Sequence, residues 1–163
     1  MRITLGESLM EALGKIGEKN STNDHSVRDF TVMSSGYDTV KSGNTGYRFV
    51  KIEALECDVC IRCVRGIFVH RDIERVGSFE CSDAEVNKIW DVGAYTVFLN
   101  MQEYLLDGIK RDRLVWAGDM HPEVKTVLSV YGNCRVIPKS LDFVVSGMDD
   151  EWLYNIPTYS SWW

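Results

Sequence analysis

Val86, Ile89, Trp90, Ala94, Val97, Phe98, Met101 and Leu105 recur at intervals of three and four, and this run constrains the fold more than any other stretch. Such spacing puts all of them on one face of a helix. Ser82 and Glu85 form a capping box ahead of the run and Asp107-Gly108 supplies a stop, so the spacing predicts a helix from Val86 to Leu105. Before Val76-Gly77 the period is different. Alternation at Arg28, Phe30 and Val32 predicts a strand over Val27 to Met33, and strands are expected again over Gly46 to Leu55 and Val59 to Arg71. Ser34-Ser-Gly36 and Ser42-Gly-Asn-Thr-Gly46 are the turns between them. Residues 6–24 are ambiguous: Leu9, Leu13 and Ile16 have helical spacing, Gly14 and Gly17 weaken it, and Asn20-Ser-Thr-Asn-Asp24 reads as loop. Later helices are expected from near Glu123 to Val130, and from Pro138 or Ser140 to about Ser146, with a loop over Met148 to Glu151. The change of period divides the chain into a β region, 1–76, and an α region, 77–163.

The segment Asp107 to Glu123 gathers Asp107, Asp112, Asp119 and Glu123 with Lys110, Arg111, Arg113 and Trp116. Gly108, Gly118 and Pro122 argue against a regular helix through it. It reads as the wall of a polar pocket whose carboxylates accept charge-assisted hydrogen bonds from a small ligand. A solvated loop with weak local ion pairs is the plainer alternative. Trp152, Tyr154, Tyr159, Trp162 and Trp163 crowd the C-terminal end. Ring stacking on a carbohydrate is one use for them, and core contacts are the expected role for most.

Cys57, Cys60 and Cys63 are spaced like the opening of an iron–sulfur motif, but no Cys-Pro follows. On the expected strand residues three apart face opposite sides, so these cysteines are expected to be small buried hydrophobes, with no metal and no cofactor. With 45% hydrophobic and 26% charged residues the composition is that of a soluble globular chain. A net charge of -6 argues against a nucleic-acid partner. No apolar run approaches the roughly 20 residues of a membrane span. The odd count of five cysteines suggests no disulfide framework. It leans toward a cytoplasmic setting, with periplasmic or secreted location left open.

The order Asp107, Arg111-Asp112-Arg113-Leu114, Trp116 and Gly118-Asp119 resembles the active-site loop of the bacterial α-L-rhamnosidases, which are inverting glycoside hydrolases. The likeness runs back through Gly77-Ser-Phe-Glu-Cys-Ser-Asp83 and the Val86 to Leu105 helix, and forward to Tyr159-Ser-Ser-Trp-Trp163. It implies a mixed fold, β then α. Residues 1–76 would be the C-terminal part of a β-sandwich, and 77–163 the first helices of an (α/α)6 six-hairpin barrel. The chain would be an internal fragment of an enzyme that releases terminal α-L-rhamnose from a rhamnose-containing glycoside or oligosaccharide. Its other partner would be the remainder of the parent chain.

Inversion needs one carboxylic acid on the leaving oxygen and one carboxylate behind an attacking water, about 6.5–9.5 Å apart. Asp112 falls where the family carries its acid, usually a glutamate. A nearby cation favours the ionised form of a carboxyl, so an acid flanked by Arg111 and Arg113 requires that at least one guanidinium point elsewhere. Glu123 is therefore a second candidate for the acid. By resemblance Asp107 and Asp119 bind the sugar, Trp116 lies against its apolar face, and Trp152 lies near the pocket; Arg111 is taken with these substrate-binding residues. The family's base is a glutamate later in the barrel, so this fragment alone is expected to be inactive. A non-catalytic carbohydrate-binding module is the alternative. It would keep Trp116, Trp152 and the aspartates without a tuned acid, while a redox or metal module would rest on Cys57, Cys60 and Cys63.

Overall fold

In the computed structural model residues 1–19, 28–147 and 152–163 are described, and they form a mixed fold, β then α. The chain separates into two compact units, Met1–Ile67 with Ile109–Asp112, and Phe68–Gly108 with Arg113–Trp163. The loop expected over Met148 to Glu151, and the one over Asn20 to Asp24, lie outside the described residues.

The first unit holds strand β1 (Arg2–Gly6), helix α1 (Leu9–Leu13), and strands β2 (Asp29–Thr31) and β3 (Phe49–Glu53). The sheet is antiparallel in the order β2-β1-β3, with Ile3 opposite Phe30 on one side and Ile52 on the other. Sequence reading did not anticipate β1, although Ile3 and Leu5 alternate with polar neighbours and are buried. Helix α1 starts where Ser8 Oγ accepts the Glu11 N–H at 3.1 Å. Of the expected strands, the first is formed at Asp29–Thr31 and the second at Phe49–Glu53.

The third is overturned: Val59 to Arg71 pairs with no strand among the described residues, and Val64, Ile67 and Phe68 are 62%, 70% and 59% exposed. Apolar alternation makes a segment competent to pair, but the ladder needs a partner edge elsewhere in the chain. The cysteines follow the same correction. Cys57, Cys60 and Cys63 are exposed, not small buried hydrophobes.

Charge is buried in this unit. Lys110 Nζ donates to Glu11 Oε1 and, at 3.3 Å, to Glu7 Oε2; Arg28 Nη1 donates to the Glu11 carbonyl at 3.0 Å. Glu11, Arg28 and Lys110 are all buried. Burial alone would raise the Glu11 carboxyl pKa, but hydrogen bonds from Lys110 and the Glu7 N–H, with the Lys110 and Arg28 charges, hold it below its ordinary value. The Gly46 N–H donates to the Ile109 carbonyl at 2.7 Å, which ties the Ile109–Asp112 segment to the same unit.

The second unit contains α2 (Ala84–Asn100), α3 (Ala117–Tyr131), α4 (Val136–Ser146), a 3-10 turn (Leu153–Asn155) and α5 (Pro157–Trp162). The α2 cap is Asp83, one residue after the expected Ser82, and its Oδ1 accepts the Glu85 and Val86 N–H groups at 2.8 and 3.3 Å. The helix ends before the expected Leu105 because the next amides are bonded elsewhere. Leu106 N–H reaches the Asn100 carbonyl at 3.0 Å, and Leu105 N–H reaches Ser140 Oγ of α4 at 2.8 Å. Met101 and Leu105 are fully buried at that turn with Val97, Val115, Val127, Val136 and Leu153. Each such side chain contributes about 1.5–3 kcal/mol through burial. The single apolar face expected from the spacing is not buried throughout: Val86 and Ile89 are exposed, as are Val92 and Tyr95. Among the described residues no helix is long and apolar enough to cross a membrane.

Helix α3 begins six residues before the expected Glu123, and Pro122 lies inside it. Gly118 sits in the first turn, where an amide has no intrahelical partner to lose, and Pro122 removes a single bond, so packing overrides propensity. Helix α4 begins at Val136 with Pro138 in its first turn, where a missing N–H costs little. Gly77 marks a close approach, since a Cβ there would lie 1.8 Å from the Ser129 carbonyl oxygen.

Candidate active site

The acidic segment closes on itself before it becomes a helix. Asp107 N–H donates to the Leu114 carbonyl at 3.0 Å, and Leu114 N–H donates back to Asp107 Oδ1 at 2.8 Å. Asp112 and Arg113 adopt left-handed backbone, φ 53 and 56, a conformation that side chains with a Cβ rarely take. The chain then enters α3 at Trp116, and the Asp119 and Met120 amides both donate to the Trp116 carbonyl at 3.1 Å.

Asp119 and Glu123 are four residues apart on α3, so they share one helix face. Asp119 is exposed, in the first turn where the helix dipole favours an anion, and Glu123 is half-buried. Burial first, then the Asp119 and Asp107 charges, push the Glu123 carboxyl up to about 7 from its ordinary 4.5. At neutral pH Glu123 is thus poised to hold a proton and to give it away, which is what general acid chemistry requires.

Trp116 is half-buried in a cluster of three rings. Its ring centroid lies 4.7 Å from that of Tyr154 at 54° and 6.1 Å from that of Tyr159 at 79°. Tyr159 packs so tightly on the start of α3 that a Cβ on Gly118 would fall 2.2 Å from its ring, which is why glycine stands there.

Of the residues singled out from sequence, Asp107 and Asp119 both act electrostatically on Glu123, and Trp116 belongs to the same unit. Asp112 and Arg111 belong to the sheet unit; Arg111 is exposed, and its Nε lies 3.7 Å from Asp112 Oδ1. Trp152 is 59% exposed, and its carbonyl accepts the Asn155 N–H at 2.9 Å. Core contacts hold for Tyr159 among the C-terminal aromatics; Trp152, Trp162 and Trp163 are exposed. Sequence reasoning gave Tyr154 no particular role, and the one available signal was its place among those aromatics.

The helical unit falls within the class of six-hairpin glycosidase domains. Residues 74–163 match the model of the bacterial alpha-L-rhamnosidase 6 hairpin glycosidase domain, and the chain belongs to that family. It is also 28% identical over 113 residues to an alpha-L-rhamnosidase from Formosa agariphila, a match covering 69% of this chain. The chain spans 11% of the length of that curated relative.

Proposed function

We propose that this chain carries the acid side of the active site of a glycoside hydrolase that releases terminal α-L-rhamnose with inversion. Residues 1–76 would be the end of a β-sandwich and 77–163 the opening helices of an (α/α)6 barrel. Later helices of the parent chain would cover the exposed Ile89, Val92 and Tyr95 of α2. The single observation that carries the reading is Glu123, a half-buried carboxyl with a pKa of about 7, one turn along α3 from Asp119.

In this reading Glu123 donates its proton to the glycosidic oxygen as the bond to the anomeric carbon breaks. A water attacks the opposite face and gives its proton to a base supplied by the later part of the parent. Glu123 then recovers a proton from solvent, because Asp119 and Asp107 disfavour a third negative charge beside them. Asp107 and Asp119 accept hydrogen bonds from sugar hydroxyls, Trp116 covers the apolar face of the ring, and Arg111 and Trp152 contribute to substrate binding. Asp112, which pairs with Arg111, is the competing acid. The segment on its own lacks a base and is inactive.

The test uses the full-length parent and an aryl α-L-rhamnoside. Proton NMR of the first sugar released should show the β-anomer, and Glu123→Gln should lose turnover while Asp112→Asn keeps much of it. The reverse ranking assigns the acid to Asp112, and α-anomer appearing first rejects inversion.

A further inference from the structure

Helix α3 has no side-chain cap: Trp116 occupies the N-cap position and its side chain makes no capping hydrogen bond. The geometry of that entry is fixed instead from the far end of the unit, by Tyr154. Its Oη donates to the carbonyl of Val115, immediately before Trp116, and its ring lies against the Trp116 ring at 4.7 Å. Tyr159 completes the cluster, 6.4 Å from Tyr154 at 86°, within the range where edge-to-face rings attract.

The turn that presents Tyr154 is itself strained. Tyr154 and Asn155 are both left-handed, φ 53 and 59, and neither is glycine. Such a conformation persists only where its surroundings over-determine it. Here Leu153 is 2% exposed, its N–H donates to Ser160 Oγ at 2.8 Å, and the Ile156 N–H returns to the Leu153 carbonyl at 2.9 Å. Burial also raises the pKa of the Tyr154 phenol, so the hydroxyl remains a donor across the neutral range.

We propose that Tyr154 is a positioning residue that fixes Trp116 in the orientation in which its ring receives the apolar face of the sugar. This rests on the reading of Trp116 as the sugar platform. The hydrogen bond holds the peptide before Trp116, and the ring contact restricts its side-chain rotation. Without them Trp116 must be ordered each time substrate binds, which weakens binding. Stacking on the apolar face is similar in the ground and transition states, so the loss falls on KM and spares kcat.

The experiment uses the full-length parent with Tyr154→Phe, which removes the hydroxyl and keeps the ring, and Tyr154→Leu, which removes both. KM for an aryl α-L-rhamnoside should rise about fivefold in Tyr154→Phe, the loss of one hydrogen bond. It should rise about tenfold or more in Tyr154→Leu, with kcat within about twofold and the pH profile unmoved. The change in tryptophan fluorescence on adding rhamnose should shrink in the same order. Unchanged KM in both variants, or a loss of kcat at constant KM, overturns the proposal. If Tyr154→Leu does not fold, Tyr154→Phe decides alone, and an unchanged KM overturns it. Trp116→Ala separates this inference from the reading beneath it. Normal KM in Trp116→Ala rejects Trp116 as the platform, whereas a raised KM there with normal Tyr154 variants rejects the positioning role alone.

Discussion

Glu123→Gln should make the protein more stable at alkaline pH while it removes activity. A carboxyl whose pKa moves from 4.5 to about 7 on folding disfavours the folded state, once ionised, by about 3 kcal/mol. Because Glu123 is only half-buried, solvent screening reduces this to about 1–2 kcal/mol. The folded pKa lies above the unfolded one, so between pH 4.5 and about 7 the folded chain binds more protons. Its contribution to stability is therefore fully present below that window, falls as pH rises through it, and is constant above. Glutamine has no such dependence. Urea unfolding followed by circular dichroism should give the two proteins equal stability near pH 4.5, and the variant an advantage of about 1–2 kcal/mol at pH 8. In the full-length parent the same change should lower kcat by about 10²–10⁴-fold, the usual worth of a general acid. The basic limb of the pH profile near 7 should disappear with it. Parallel stability curves for the two proteins from pH 5 to 8, or a basic limb that survives the substitution, would refute the reasoning.

Gly118→Ala should destabilise the helical unit by about 1–3 kcal/mol through overpacking, because its Cβ would lie 2.2 Å from the Tyr159 ring. An unchanged urea midpoint would contradict that contact. Glu11→Gln removes the charge facing buried Lys110 and should cost about 3 kcal/mol, near the low end for breaking a buried pair, since Glu7 stays 3.3 Å away. The Glu11 carboxyl is held below its ordinary pKa, so its stabilisation is present at neutral pH and lost as pH falls through the folded value. Acid titration of stability should accordingly be shallower in Glu11→Gln than in the parent sequence, and equal slopes would count against the cluster.

What the sequence made legible were the features governed by local spacing and residue order. The period of Val86 through Met101 announced α2, Tyr131-Gly132-Asn133 announced the end of α3, and the order of acids and Trp116 announced the family. What it hid depended on contacts distant in sequence. Val59 to Arg71 alternates like a strand yet among the described residues no edge receives it, while short β1 forms because two edges do. Gly118 and Pro122 looked like breaks because their cost is intrinsic, and the buried Ala117, Met120 and Val127 that outweigh it are visible only when folded. The same is true of the proposed acid. Asp112 drew attention by its place in the motif, whereas the burial that distinguishes Glu123 has no local signature.

The middle strand of the sheet is also its earliest in sequence. Among the described residues β2 and β3 share no ladder with one another, and each pairs with the sheet through Arg2–Gly6. The amides of Arg2–Gly6 gain both their ladders only once Asp29–Thr31, and then Phe49–Glu53, have been synthesised. Trimming or disturbing so short a ribbon would unzip both sides together, which makes the start of this chain a poor place to shorten it.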